Sequence, residues 1–553
     1  MVFRGIFRPA ENLECGDPVP LWTTSPGSSP LRYGVRLAPA RRVAPEKSGA
    51  GSPHFKVPVH RPRTPPPMAT ILAILVISLG IRPTAGAAEK LCGTVAELHA
   101  AFRTARPGDV FLLRDGTWSD ADIVFTAAGE PDHPITLRAA TSGQVVLTGR
   151  SRLRFSGSWL VVDGLRFEKC GHPSIADVVE FRTSTSRKQG YATHSRLTNC
   201  SFLDCSPPDK QTNTRFVSLF GHDNRVDHCY LAGKTNLGPS LVVWLDAGPV
   251  RHRIDHNHFG PRPELGFNGG ETMRLGDSTT SQLNARCVVE ENLFTACNGE
   301  IEIISNKSCE NVYRHNTFVD CEGTLTLRHG HRNVVEGNFF FGHGRPKTGG
   351  VRIINEDQRV VNNYFADLAG EGTYAALCFM NGIPASPLAG YDQVKRAVVA
   401  FNTFVNCRQS VVVGYQSPTR AEASLAPQDC TFAENVLVAR AAPLVRVMTA
   451  PMRFAWRGNF FSGEPGVRDE LRPGVVDPRL VQDDDGRWRP GPGSPVAGAA
   501  TGAYPEITVD IDGQPRPIAR RDAGCDQVST EPVQYRPATA REAGPTWRRV
   551  AAP

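Results

Sequence analysis

Along most of this chain the apolar residues come in short, β-branched runs that end on Asn-x-Phe, as in VVEENLF, VYRHNTF, VVEGNFF, VVNNYF and VVAFNTF. Taking the last aromatic, or the leucine that replaces it, the anchors are Phe167, Phe202, Leu231, Phe259, Phe294, Phe318, Phe340, Phe365, Phe404, Leu437 and Phe461. Their spacings of 35, 29, 28, 35, 24, 22, 25, 39, 33 and 24 residues share a floor near 22 with irregular excess. That pattern predicts one coil per repeat, with loops inserted into some coils. The runs are too short and too rich in valine for helical repeats, and glycine and asparagine punctuate them, so the segments are strands. Asn257, Asn292, Asn316, Asn338, Asn363, Asn402, Asn435 and Asn459 each stand two residues before an anchor. An asparagine at a buried bend can bond the coils above and below it and satisfy groups that the bend leaves unpaired. The fold expected is an all-β, single-stranded parallel β-helix running from about residue 88 to 525, its right hand taken from fold precedent.

The ends follow from the same reasoning. Thr94 to Arg106 has helical spacing at Val95, Leu98 and Phe102, a threonine start and Pro107 just beyond. It predicts a capping helix over the first coil, since an uncovered terminal coil exposes core and strand edges. Residues 1–67 are rich in Pro, Arg and Ser and lack periodic apolar runs, which predicts a disordered leader or a misplaced start. Met68 opens an apolar run followed by small residues through Ala88, the pattern of a secretory signal over 68–87 and of a secreted or periplasmic protein. Residues 526–553 are expected to be a disordered tail.

Composition narrows the picture modestly. With 21% charged and 40% hydrophobic residues the chain is ordinarily globular, and a formal charge of +7 suits an acidic substrate without requiring one. Although 553 residues would ordinarily suggest several domains, a solenoid adds its rungs to a single core. Of the 14 cysteines, Cys170, Cys205, Cys297, Cys321 and Cys407 each fall three residues after an anchor. Equivalent positions stack, so a ladder of small buried side chains is expected rather than a disulfide framework. No C-x-x-C pair is present, which argues against zinc.

The chemistry gathers between residues 268 and 352. In Glu300-Ile301-Glu302-Ile303 alternation puts both carboxylates on one face, and Lys307, Arg328 and His329 follow within the next repeats. Asn268 belongs to the coil before. Two carboxylates and an amide oxygen are hard ligands suited to calcium. Two such carboxylates repel unless a cation neutralises them, and either Lys307 or a metal ion can fill that role.

In order and spacing, NGGETMRLG (268–276), EIEIISNKS (300–308) and TLTLRHG (324–330) resemble the family-6 polysaccharide lyases, which include alginate lyases and chondroitinase B. The resemblance covers roughly residues 90–525 and implies a pectin lyase-like solenoid that cleaves uronic-acid polymers by β-elimination with calcium. Carried over by motif, Asn268, Glu300 and Glu302 would bind Ca2+, Lys307 would be the base and Arg328 the acid. Glu271, Arg274, His329 and Arg352 would line the substrate groove, although Arg274 could instead be a buried partner of Glu271. The implied substrate is an anionic polysaccharide, alginate first, with dermatan sulfate as the alternative. A hydrolase on the same scaffold would use paired carboxylates without a lysine, and a non-catalytic β-helix would bind a polyanion without cleaving it.

Overall fold

The computed structural model describes residues 87–548, apart from 185–189, 441, 442 and 473. The expected leader, and all of the expected signal but its last residue, lie outside the described residues. Helix α1 (Val95–Phe102) is capped by Thr94, whose hydroxyl accepts from the Glu97 N–H, and it buries Leu98, Ala101 and Phe102 over the first coil. Phe102 packs on Phe111 and Phe125, so the helix closes the core as expected.

Beyond the helix the chain winds into three long parallel sheets of 14, 13 and 13 strands. A regular coil contributes one strand to each sheet. In one coil, Val312–Arg314 lies in the first sheet, Thr317–Val319 in the third and Gly323–His329 in the second. Strand neighbours are residues one repeat apart, as in Phe294 beside Phe318 beside Phe340.

The turn from first to third sheet is the fold's repeating joint. The residue before each asparagine takes a left-handed conformation, with φ of 53° at His315 and 55° at Glu434, which reverses the chain in two residues. The asparagine Oδ1 then accepts from the backbone and side-chain N–H groups of the asparagine one coil earlier, at 2.9–3.1 Å from Asn257 through Asn435. The row ends at Asp469, whose carboxylate accepts from the Gly458 and Asn459 backbone and the Asn459 side chain. Beside it the anchor rings stack face to face, with centroids 4.6 Å apart for Phe294–Phe318, Phe318–Phe340 and Phe365–Phe404. All thirteen described cysteines are free and buried, and the Cys297 N–H points at the Cys321 sulfur, so the expected thiol ladder is present.

The C-terminal segment corrects an expectation. Residues 526–548 do not form a disordered tail but run back over the turns. Tyr535 stacks on His315 with centroids 3.6 Å apart, the Ala538 N–H donates to Thr317 Oγ1, and the Trp547 indole donates to the Asn199 carbonyl. Its low apolar content hid this, because single aromatic rings and backbone groups, rather than an apolar stripe, hold it down. Among the described residues no helix is long and apolar enough to cross a membrane.

Replacing Asn316 by alanine strips the Asn292 N–H of its buried acceptor. An unsatisfied buried group costs about 1–3 kcal/mol, so the urea midpoint should fall by a corresponding amount. An unchanged midpoint would show that the row does not hold the coils in register.

Candidate active site

Four adjacent strands of the second sheet carry the candidate residues: Met273–Gly276, Glu302–Lys307, Gly323–His329 and Thr348–Ile353. Strict alternation would scatter them. Lys307 lies five positions after Glu302, an odd offset that places them on opposite faces of a regular strand. The register slips between Glu302 and Ile304, where Ile303 and Ile304 both enter the core, and this extra residue returns Lys307 to the outer face. A second slip lies between Ser305 and Lys307, opposite Thr326 and His329. It turns the consecutive residues Arg328 and His329 both outward, with Leu327 in the core. Bulges of this kind re-aim side chains next to active sites.

The result is a dense ionic cluster. Arg352 donates to Glu302 Oε1, Arg328 Nε lies 3.6 Å from the same oxygen, and the Ser305 hydroxyl donates to Oε2. Lys307 pairs across the ladder with His329. Glu302, Arg328, His329 and Arg352 are 1–3% exposed and Lys307 5%, so the lysine is the most approachable of the five. Burial opposes ionisation of Glu302, but Arg352, Arg328 and Lys307 outweigh it and hold its carboxyl below the usual range. Burial, with Arg328, Lys307 and Arg420 nearby, keeps the His329 imidazole neutral far below its ordinary pKa. The alternative posed by the sequence, lysine or metal, lacks two members: Arg352 and Arg328 are also ionic partners of Glu302.

Asn268, Glu271 and Glu300 form the adjoining edge. The backbones of 269–271 and 299–300 run so close that a Cβ on Gly270 would sit 2.4 Å from the Gly299 carbonyl oxygen, and one on Gly299 2.1 Å from that of Gly270. Glycine at both positions permits this approach, and the Gly269 N–H reaches Glu300 Oε2 at 3.2 Å. Beneath lies Arg262, fully buried, which donates to the carbonyls of Glu271, Asn236 and Gly238. Burial pushes its pKa down to about 10 against the opposing pull of Glu271 and Glu300. Glu271 Oε2 is buried without a hydrogen bond. The donor chemistry at this edge, carboxylates and an amide with an orphaned carboxylate oxygen among them, fits a hard divalent cation. The carboxylates of Glu271, Glu300 and Glu302 do not, among the described residues, converge within 4.8 Å as a set of three.

Arg274 departs from one of its two readings. Among the described residues no ion pair joins it to Glu271. Its guanidinium lies 5.2 Å from the Trp244 ring centroid, on the outer face. There it continues a row in which Arg215 also approaches Trp244 and Arg182 lies 3.9 Å over Phe220. Asp177, Tyr191 and Asp246 help to line this cleft of about 280 Å³. Arg262, Trp244, Arg420 and Tyr391 were not singled out from the sequence. Arg262 and Trp244 stand in irregular or inserted stretches, and periodicity gives no position to such residues.

Glu302→Gln would leave two buried guanidiniums without their anion. Breaking a buried pair in this way costs about 3–5 kcal/mol. Because the folded pKa of Glu302 is lowered, its contribution is complete above the ordinary carboxylate range and lost as pH falls through the folded value. Denaturant melts across acid pH should therefore show a shallower acid loss in the glutamine variant. Parallel curves would remove Glu302 from the balance.

The chondroitinase B family model matches residues 93–450, more than half of the chain. Among solved structures, the PL6 family alginate lyase AlyGC is 36% identical with a TM-score of 0.72, over 84% of this chain and 60% of that one. This chain thus spans about 60% of AlyGC's length. A mannuronic acid specific polysaccharide family 6 lyase from human gut microbiota is 33% identical with a TM-score of 0.63, over 70% of this chain and 92% of that one. The PL6 family polysaccharide lyase Pedsa3628 from Pseudopedobacter saltans is 25% identical with a TM-score of 0.61, over 83% of this chain and 99% of that one. No curated protein sequence matches the chain. The three motifs, the solenoid and the matched span agree, and the chain belongs to the chondroitinase B family, the family-6 polysaccharide lyases.

Proposed function

We propose that this protein is a calcium-dependent lyase that cleaves a uronic-acid polymer, alginate first, by β-elimination. The observation that carries the reading is the gathering of Lys307, His329, Arg328 and Arg352 around Glu302 on one outer face. The proton on C5 of a uronate is weakly acidic because its removal adds charge beside a carboxylate already ionised. Fixed cations aimed at that charge lower the barrier. Lys307, as the general base, takes the C5 proton. The C–H electron pair becomes the C4=C5 double bond, the C4–O4 bond breaks, and the departing oxygen takes a proton from a water molecule, which leaves as hydroxide and is neutralised by the proton that Lys307 later releases.

Arg328 stabilises that oxygen rather than surrendering its own proton. Its guanidinium donates to the Gly390 carbonyl and faces the Glu302 carboxylate, and a guanidinium stays protonated in proteins. His329, held neutral beside Lys307, keeps a further positive charge away from the base. Asn268 and Glu300, with Glu271 or Glu302, would hold calcium, which when bound would neutralise the substrate carboxylate. Arg352 fixes Glu302 and lines the groove floor. Activity on an exported polymer also accords with the apolar segment after Met68, which would make the protein secreted or periplasmic.

The arginine row at Arg182, Arg215 and Arg274 supports a second reading, a lyase on dermatan sulfate, whose sulfates call for additional cations. Incubation with alginate and with dermatan sulfate, each with calcium, should raise ultraviolet absorbance from the unsaturated product on one of them. New reducing ends without absorbance would indicate a hydrolase, and binding without either a non-catalytic module. Lys307→Ala should lower kcat by at least a thousandfold while binding persists, since the general base and its alignment together contribute that much. Chelation should abolish turnover and calcium restore it. Activity that survives both changes would overturn the mechanism.

A further inference from the structure

The 39-residue interval between Phe365 and Phe404 holds an inserted loop, and that loop ends against Arg328. Arg328 Nη1 donates to the Gly390 carbonyl at 3.1 Å and Nη2 to that of Ala389 at 3.4 Å. The next residue, Tyr391, is fully buried, and its ring centroid lies 4.2 Å from Arg328 Cζ. Arg420, from the following inserted loop, sits 4.5 Å from the same ring. Ile354, Ala375, Cys378, Met380 and Val412 pack around the tyrosine and fix its plane. Its hydroxyl is buried without a hydrogen-bond partner, so the ring and not the phenol makes the contact that matters.

A π face holds a cation without neutralising it. Glu302 offsets part of the Arg328 charge, whereas the ring and two carbonyls orient the guanidinium without adding a counter-charge. From this geometry, and resting on the lyase reading above, we infer that Tyr391 is a positioning residue that aims Arg328 at the departing oxygen. The inserted loop around residues 389–391 therefore belongs to the reaction machinery. It touches no reacting atom itself and acts through the arginine.

Kinetics on Tyr391→Phe and Tyr391→Leu test this, with Tyr391→Met standing in if the leucine variant does not fold. The phenylalanine variant keeps the ring and loses only an unpartnered hydroxyl, so its kcat should stay within about twofold of the parent. Leucine or methionine should lower kcat by about tenfold or more, the worth of a desolvated cation–π contact. KM should change little, and circular dichroism should be that of the parent. A simple packing role predicts instead a loss of thermal stability with kcat intact in the folded fraction. An unchanged kcat in a folded leucine or methionine variant overturns the inference, and so does a phenylalanine variant as impaired as leucine. A parent protein that releases no unsaturated product from alginate or dermatan sulfate overturns the lyase reading and this inference with it. Only the first two results spare that reading.

Discussion

The hydrogen bond that each buried asparagine makes to the next coil is the constraint on which the remaining geometry depends. A polar bend in the interior is tolerable only if its donors are matched, and a side chain that is both donor and acceptor can match them indefinitely along the row. That bond fixes the coil spacing at about 4.8 Å and hence the stacking of the phenylalanines and thiols beside it. It also sets how far apart residues of different coils can lie on the outer surface. Side chains 50 residues apart in sequence, such as Glu302 and Arg352, meet because of it.

Regularity alone would nevertheless not make a reactive surface. A strict pleat sends odd-numbered spacings to opposite faces, and Glu302 and Lys307 have an odd spacing. One register slip corrects this, and a second in the same pair of strands turns Arg328 and His329 outward together. The slips also leave a lysine, two arginines and a histidine crowded about one carboxylate, an arrangement that costs desolvation and like-charge repulsion. Neutrality of His329 and the counter-charge of Glu302 limit that cost. The flat, stacked core below supplies the stability that such a cluster consumes.

Much of this was legible in the residues because the repeat is short and its markers are chemically distinctive. Asparagine, phenylalanine and cysteine at fixed offsets located the turns and the core, helical spacing between a threonine and a proline located the capping helix, and the lysine and arginine motifs pointed to the strands on which the ionic cluster stands. The slips could not be read, since Ile303 and Ile304 are interchangeable in any alternation template. The arginine partners of Glu302 were equally hidden, because Arg352 comes from two coils away and competes with lysine on equal chemical terms. Tyr391 and Arg420 sit in insertions, where no period assigns a neighbour. The closing segment was misjudged for a related reason: low apolar content measures whether a piece can make its own core, not whether it can lie in someone else's groove.

That returning segment has a structural consequence. A stack of rungs touching only their immediate neighbours can loosen from either end, one rung at a time. Here the chain's last described turn is pinned at Asn199, 348 positions away from Trp547, and crosses the rungs between. Peeling the closing rungs must first lift this brace, so the two extremities share one fate. A stack of separable rungs is thereby tied into one cooperative unit.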